Sequence, residues 1–143
     1  MRNSIHKILP TMMILVIIMV VSCTKKNGGG IIPTPVVPKE ENLVFSIDPD
    51  PGTGVAVAMS GSYAFKVTIS SKLTTSGVKV DLTTKKDADD STVDSKSLDS
   101  NSPGIDLSTG TLNPGILCTV TVTVTSKATP TNTLTKSFKV ARK

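Results

Sequence analysis

The two-residue rhythm of the last hundred positions narrows what this chain can fold into more than any other feature. Tyr63, Phe65, Val67 and Ile69 alternate with Ala64, Lys66, Thr68 and Ser70. A side-chain period of two belongs to a strand with one dry face and one wet face, and a helix cannot satisfy it. The rhythm returns along Ile116, Cys118, Val120, Val122 and Val124, which oppose Thr119, Thr121 and Thr123. Val78, Val80 and Leu82 oppose Lys79, Asp81 and Thr83 in the same way, and Phe138 and Val140 oppose Ser137 and Lys139. Leu43, Phe45 and Ile47 predict a further inward face, as do Val55, Val57 and Met59.

Turn chemistry punctuates these runs at the spacing of about 8 to 12 residues expected for a sandwich. Asp48-Pro-Asp-Pro-Gly52, Ser102-Pro-Gly104 and Asn113-Pro-Gly115 each set proline before glycine, as a type II turn requires. Lys85 to Ser102 is dominated by Asp, Ser and Lys, with Val93 and Leu98 its only large apolar residues, and predicts an edge strand with long loops. Residues 43–143 are of a usual size for one domain. The expected fold class is all-β: an antiparallel sandwich of about seven or eight strands.

The chain ahead of this domain has a different character. Arg2 and Lys7 precede an apolar run from Ile8 to Ser22. About 15 residues rising about 1.5 Å each span roughly 22 Å, short of the ~30 Å of a membrane's hydrocarbon core. Residues 1–22 therefore predict a cleaved export signal rather than a permanent span. From Thr24 to Asn42 no periodicity appears. Gly28, Gly29 and Gly30 form a flexible joint, and Pro33, Pro35 and Pro38 favour an extended spacer. Residues 23–42 thus predict a tether.

Val20, Val21, Ser22 and Cys23 close the apolar run. This segment resembles the lipobox of bacterial lipoproteins, with aliphatic Val20, tolerated Val21, small Ser22 and the lipid-accepting Cys23. The resemblance implies a thioether-linked diacylglycerol on Cys23 and an acylated (palmitate-type) amine. More than one acyl chain gives stable anchoring, since a single chain holds only marginally. It also implies a place in the cell envelope, at the outer membrane. Certain bacterial lipoproteins with this kind of signal are sent to the outer face by an acidic cluster just after the cysteine, whereas here Lys25 and Lys26 follow and the first acid is Glu40. That departure weakens a surface assignment, and the periplasmic or surface face stays open.

The domain resembles, by strand pattern, the Ig-like and fibronectin-like modules of bacterial envelope lipoproteins. The pattern lies in Leu112-Asn-Pro-Gly115, the run Thr119 to Thr125, the turn around Pro130 and the closing Lys136-Ser-Phe-Lys-Val140. The antibody marks of a tryptophan and a pair of domain cysteines are lacking.

Composition excludes several chemistries. The single histidine, His6, lies in the segment expected to be removed, so the mature chain has no imidazole for general-base work, for zinc or for activating a serine or cysteine. Paired carboxylates of the glycosidase kind also want a sugar cleft. Phe45, Phe65 and Phe138 lie on predicted core faces, and Tyr63 is the only tyrosine, which leaves no platform for sugar stacking. No enzymatic activity and no cofactor are expected.

Asp87, Asp89, Asp90 and Asp94 form the one constellation that suggests an ion, since calcium takes six to eight oxygens. Thr92 and Leu98 stand where an EF-hand loop has its glycine and glutamate, so a solvated acidic loop is the stronger reading and no metal is expected. Cys118, on an inward face and without a disulfide partner, predicts a buried free thiol. Loss of Arg2 and Lys7 lowers the formal charge from +5 to +3, too balanced for nucleic acid to be a partner. The hydroxyls of Thr119, Thr121, Thr123 and Thr125 suit either a recognition face or, more simply, the wet side of a strand.

The expected function is that of a non-catalytic, lipid-anchored envelope protein whose domain is a binding or assembly module of the adhesion type. The alternative is an accessory lipoprotein that presents glycans or peptides to an outer-membrane uptake system. A plain spacer domain is a third possibility. The expected partners are the membrane, through Cys23, and an envelope protein or extracellular ligand.

Overall fold

The computed structural model describes residues 39–143, so Val20, Val21, Ser22 and Cys23, the leader and most of the tether lie outside the described residues. Alternation becomes eight strands: β1 Phe45–Asp48, β2 Val55–Ala58, β3 Ala64–Ile69, β4 Val78–Lys86, β5 Thr92–Ser100, β6 Gly104–Ser108, β7 Leu117–Ser126 and β8 Thr133–Arg142. They form a three-stranded sheet in the order β1-β3-β6 and a five-stranded sheet in the order β2-β8-β7-β4-β5. The protein is an all-β sandwich, with no helix among the described residues.

The apolar faces meet as the alternation requires. Val120, Val122 and Val124 of β7 are fully buried between Val78, Val80 and Leu82 of β4 and Phe138 and Val140 of β8. Phe45, Ile47, Phe65, Val67, Ile69, Ile105 and Leu107 close the core from the other sheet. Phe65 and Phe138 meet edge to face across the sheets at 5.3 Å between centroids, and Tyr63 packs against both at 6.2 and 5.8 Å. Offset and edge-to-face rings add specificity to the area they bury.

Three expectations are corrected. First, β2 faces the opposite way: Ala56 and Ala58 point inward, while Val55, Val57 and Met59 are 47%, 42% and 84% exposed. Its pairing with β8 sets Ala56 beside inward Val140, and a one-residue slip in register turns every side chain over. Second, the sandwich is not wholly antiparallel, because β2 runs parallel to β8. Third, Ile116 precedes β7 and is exposed.

The turns divide similarly. Asn113 to Ile116 matches the expected type, with Ile116 N donating to the Asn113 carbonyl at 3.3 Å and Gly115 at φ 73°. Gly52, at φ 54°, is instead the second residue of a turn closed by Gly54 N on the Pro51 carbonyl at 2.9 Å. Gly104 opens β6 without a positive φ. Lys85 to Ser102 does form an edge strand, the nine-residue β5. A register shift at Thr84/Lys85 leaves Asp94 beside buried Thr84 and Lys96 beside buried Leu82. Both charges thus lie on the inner side of the edge, where Lys96 contacts Asp94 at 3.1 Å and donates to the Ser108 carbonyl at 2.8 Å. Inward charges and a bulge keep a sheet edge from pairing with another chain.

Gly77 ends the turn into β4 at φ 71°, and a Cβ there would stand 1.9 Å from Asn101 Oδ1 and 2.4 Å from the Ser100 carbonyl. Gly77→Ala is expected to destabilise the domain by about 2 kcal/mol or more. Gly61→Ala, with nothing within 4 Å, is expected to be near neutral. Denaturant unfolding of the two variants checks the contrast.

Candidate functional site

The chain joins the sandwich at one end through a side-chain clamp. Asn132, in the turn between β7 and β8, accepts from Leu43 N at 2.9 Å and donates through Nδ2 to the Glu41 carbonyl at 2.8 Å. The Glu41 carboxylate accepts from Lys72 N at 3.0 Å, so two loops hold the incoming segment. A depression of about 480 Å³ lies there, lined by Glu40, Leu73, Thr74 and Thr129 among others. The hydroxyl of Ser126, then those of Thr129 and the Asn132 amide, hold the Glu40 carboxyl below its usual range.

The outer face of the five-stranded sheet carries hydroxyls in register. Thr121 pairs with Ser137 at 3.0 Å, Thr123 with Thr135 at 2.9 Å and Thr125 with Thr133 at 2.9 Å. These cross-strand pairs satisfy one another, as such pairs do on a sheet face. Thr119, the fourth of the series, donates instead to Asp87 Oδ1 at 2.6 Å, and Lys139 of β8 pairs with the other oxygen of Asp87. A depression of about 370 Å³ sits beside this group, between Thr83, Lys85, Thr119, Thr121 and the hairpin residues Asp87 and Asp90.

The hairpin sends its carboxylates to different places. Asp87 turns onto the sheet face, while Asp89 Oδ1 accepts from both the N–H and the hydroxyl of Ser91 at 3.0 and 2.6 Å. Asp90 holds the left-handed turn position at φ 55°. Asp94 lies two residues into β5 on its inner side. Among the described residues no three groups of the metal-ligating type gather. Lys139, then the Thr119 hydroxyl, hold Asp87 below 3.8, and the hydroxyl and backbone of Ser91 do the same for Asp89. Burial, then the Asp87 charge, pushes the Cys118 thiol up, which disfavours the nucleophilic thiolate.

An apolar row crosses the same outer face at the end away from the Asn132 clamp. Register aligns Val57 of β2 with Ala141 of β8, and Ala141 with Leu117 of β7. Val57 and Leu117 are exposed, as are Val55, Met59 and Ile116 around them. The alternation hid this row, because it assigned Val55, Val57 and Met59 to the core. The signal that exposes it is Ala56-x-Ala58, whose small side chains fit beneath an edge strand. Compared with protein-family models and with curated proteins, the chain matches none.

Two outcomes follow. The pKa of the Asp87 carboxyl is lowered, so its ionic contribution to stability is complete well above the ordinary carboxylate range and is lost as the pH falls through the lowered value. Asp87→Asn should lower the thermal midpoint slightly near neutrality and converge on wild type as acidification protonates the Asp87 carboxyl, followed by circular dichroism. Millimolar calcium should leave the wild-type midpoint unmoved, since Asp87 and Asp89 are engaged with separate partners. A rise in the midpoint would assign them a metal.

Proposed function

We propose that this chain is a lipid-anchored protein of the cell envelope whose Ig-like sandwich is a non-catalytic binding or assembly module. The Ig-like reading draws support from strand order. β1, β3 and β6 correspond to strands A, B and E, and β8, β7, β4 and β5 to G, F, C and C′ of such sandwiches. β2 then acts as a second half of the first strand that has crossed to the opposite sheet.

The observation that carries the assembly reading is where the apolar side chains are spent. Phe45, Phe65 and Phe138 are buried and Tyr63 packs against two of them, while Val57, Ala141 and Leu117 lie across a sheet face. A glycan receptor offers rings or a concave pocket, whereas an assembly module offers an apolar patch or an open strand edge. The Asn132 clamp holds Glu41 and Leu43 at the opposite end of the sandwich, so the incoming segment leaves the apolar row uncovered.

In a bacterial host, the wild-type chain is expected in the membrane fraction, with acyl mass on the Cys23 peptide. Cys23→Ser should move it to the soluble fraction. Protease shaving of intact cells then assigns the face: release of peptides from residues 43–143 beside intact periplasmic controls means outward, and retention until the outer membrane is broken means periplasmic. A wild-type chain that is soluble and unacylated sinks the anchor.

A further inference from the structure

The four strand edges of the sandwich are not equally protected. β5 carries inward Lys96 and Asp94 and a register shift. β1 ends at Asp48, followed by Pro49, and β6 follows Pro103 and carries Asp106. β2, with the sequence Val55-Ala56-Val57-Ala58 and then Met59, has no charge, no proline and no register shift. Natural edges of that kind are normally blocked, because their unpaired N–H and C=O groups are a template for another strand.

Backbone geometry says which groups are open. Lys143 N donates to the Ala58 carbonyl at 3.3 Å, so Ala58 turns its peptide groups toward β8. Strand groups alternate in direction, which turns Ala56 the same way and leaves the N–H and C=O of Val55 and Val57 on the free edge. Their side chains stand half exposed on the outer face.

We propose that β2 is the seam of a two-fold dimer in which it pairs antiparallel with β2 of a second copy, about an axis through Ala56. Val55 then faces the partner's Val57, and Val57 the partner's Val55, as hydrogen-bonded pairs that exchange four backbone bonds. The two-fold axis repeats each contact, so the valine-to-valine pairing occurs on both sides of Ala56. The seam sets uncharged side chains against uncharged side chains, and each exposed valine gains a valine across the strands. Strands of four residues bury less than the ~1,200 Å² of a stable interface, so free chains pair weakly. Copies sharing a membrane meet at a far higher effective concentration. That last step rests on the anchor proposed above, and the seam itself does not.

The test uses the full-length chain in cell membranes. Ala56→Cys places a thiol on the axis opposite its own copy, at a Cα separation of about 4.5 Å, within disulfide range. Under mild oxidation most of this chain should move to twice its mass. Adding Val57→Lys should lower the linked fraction about tenfold or more, since the charge enters the seam twice. Ser97→Cys on the β5 edge should stay single. Thermal melts establish that each variant is folded, and paired Val55→Cys and Val57→Cys on the exposed face replace Ala56→Cys if that variant does not fold. A folded variant that stays single, equal linkage through Ser97→Cys, or an adduct of any other mass overturns the seam. Wild type, with Cys118 buried, stays single when Cys23 is acylated. A wild-type dimer sinks the anchor alone, and the seam is then read as the excess linkage of Ala56→Cys over wild type.

Discussion

Everything in this sandwich hangs on β7. It is the middle strand of the five-stranded sheet, hydrogen-bonded to β4 along one side and to β8 along the other. Its inward Cys118, Val120, Val122 and Val124 are almost wholly removed from water. Branched side chains suit a pleated surface, and burying each one contributes about 1.5 to 3 kcal/mol before entropy is set against it. Because the side-chain period is two, that buried row also determines the outward row of Thr119, Thr121, Thr123 and Thr125. The hydroxyl face is therefore a consequence of the core and requires no recognition role to account for it.

The edges show the same economy of means. Lys96 and Asp94 lie inside the β5 edge and are joined to each other, and Lys96 also satisfies the Ser108 carbonyl. At the other edge of β8, Lys136 reaches over the Phe45 ring at 5.5 Å, an inward lysine that snorkels past an aromatic face. Against these guarded stretches the bare β2 edge stands out, and an assembly role draws its support from that contrast.

Much of the fold was legible along the chain because its signals are local. β3, β4 and β7 follow their alternation residue by residue, and the burial of Cys118 follows from its place in that pattern. The reading failed at β2, where Val55, Val57 and Met59 carry the same alternation as a core strand. Hydrophobicity alone prefers the valines inward, and only the register with β8 reverses it. The ion pair of Asp87 and Lys139 was equally hidden, since 52 residues separate its members in sequence and the strand pairing brings them together. The hairpin acids looked like one site because they are adjacent in sequence, yet Asp87 turns to Thr119 and Lys139 while Asp89 turns to Ser91.

The order of residues alone sets the all-β class, the inward rows of the central strands, the basic and apolar segment closing on Cys23 and the lack of an imidazole after His6. Each of these is a matter of period, composition or local turn chemistry. Only the tertiary structure decided that β2 lies parallel to β8 with its valines outward, that Asn132 clamps the incoming chain, and that Val57, Ala141 and Leu117 share one row. The physical reason is that a strand's face and neighbours are set by hydrogen-bond register between distant segments, and a two-residue period leaves that register undefined until another strand fills the space beside it.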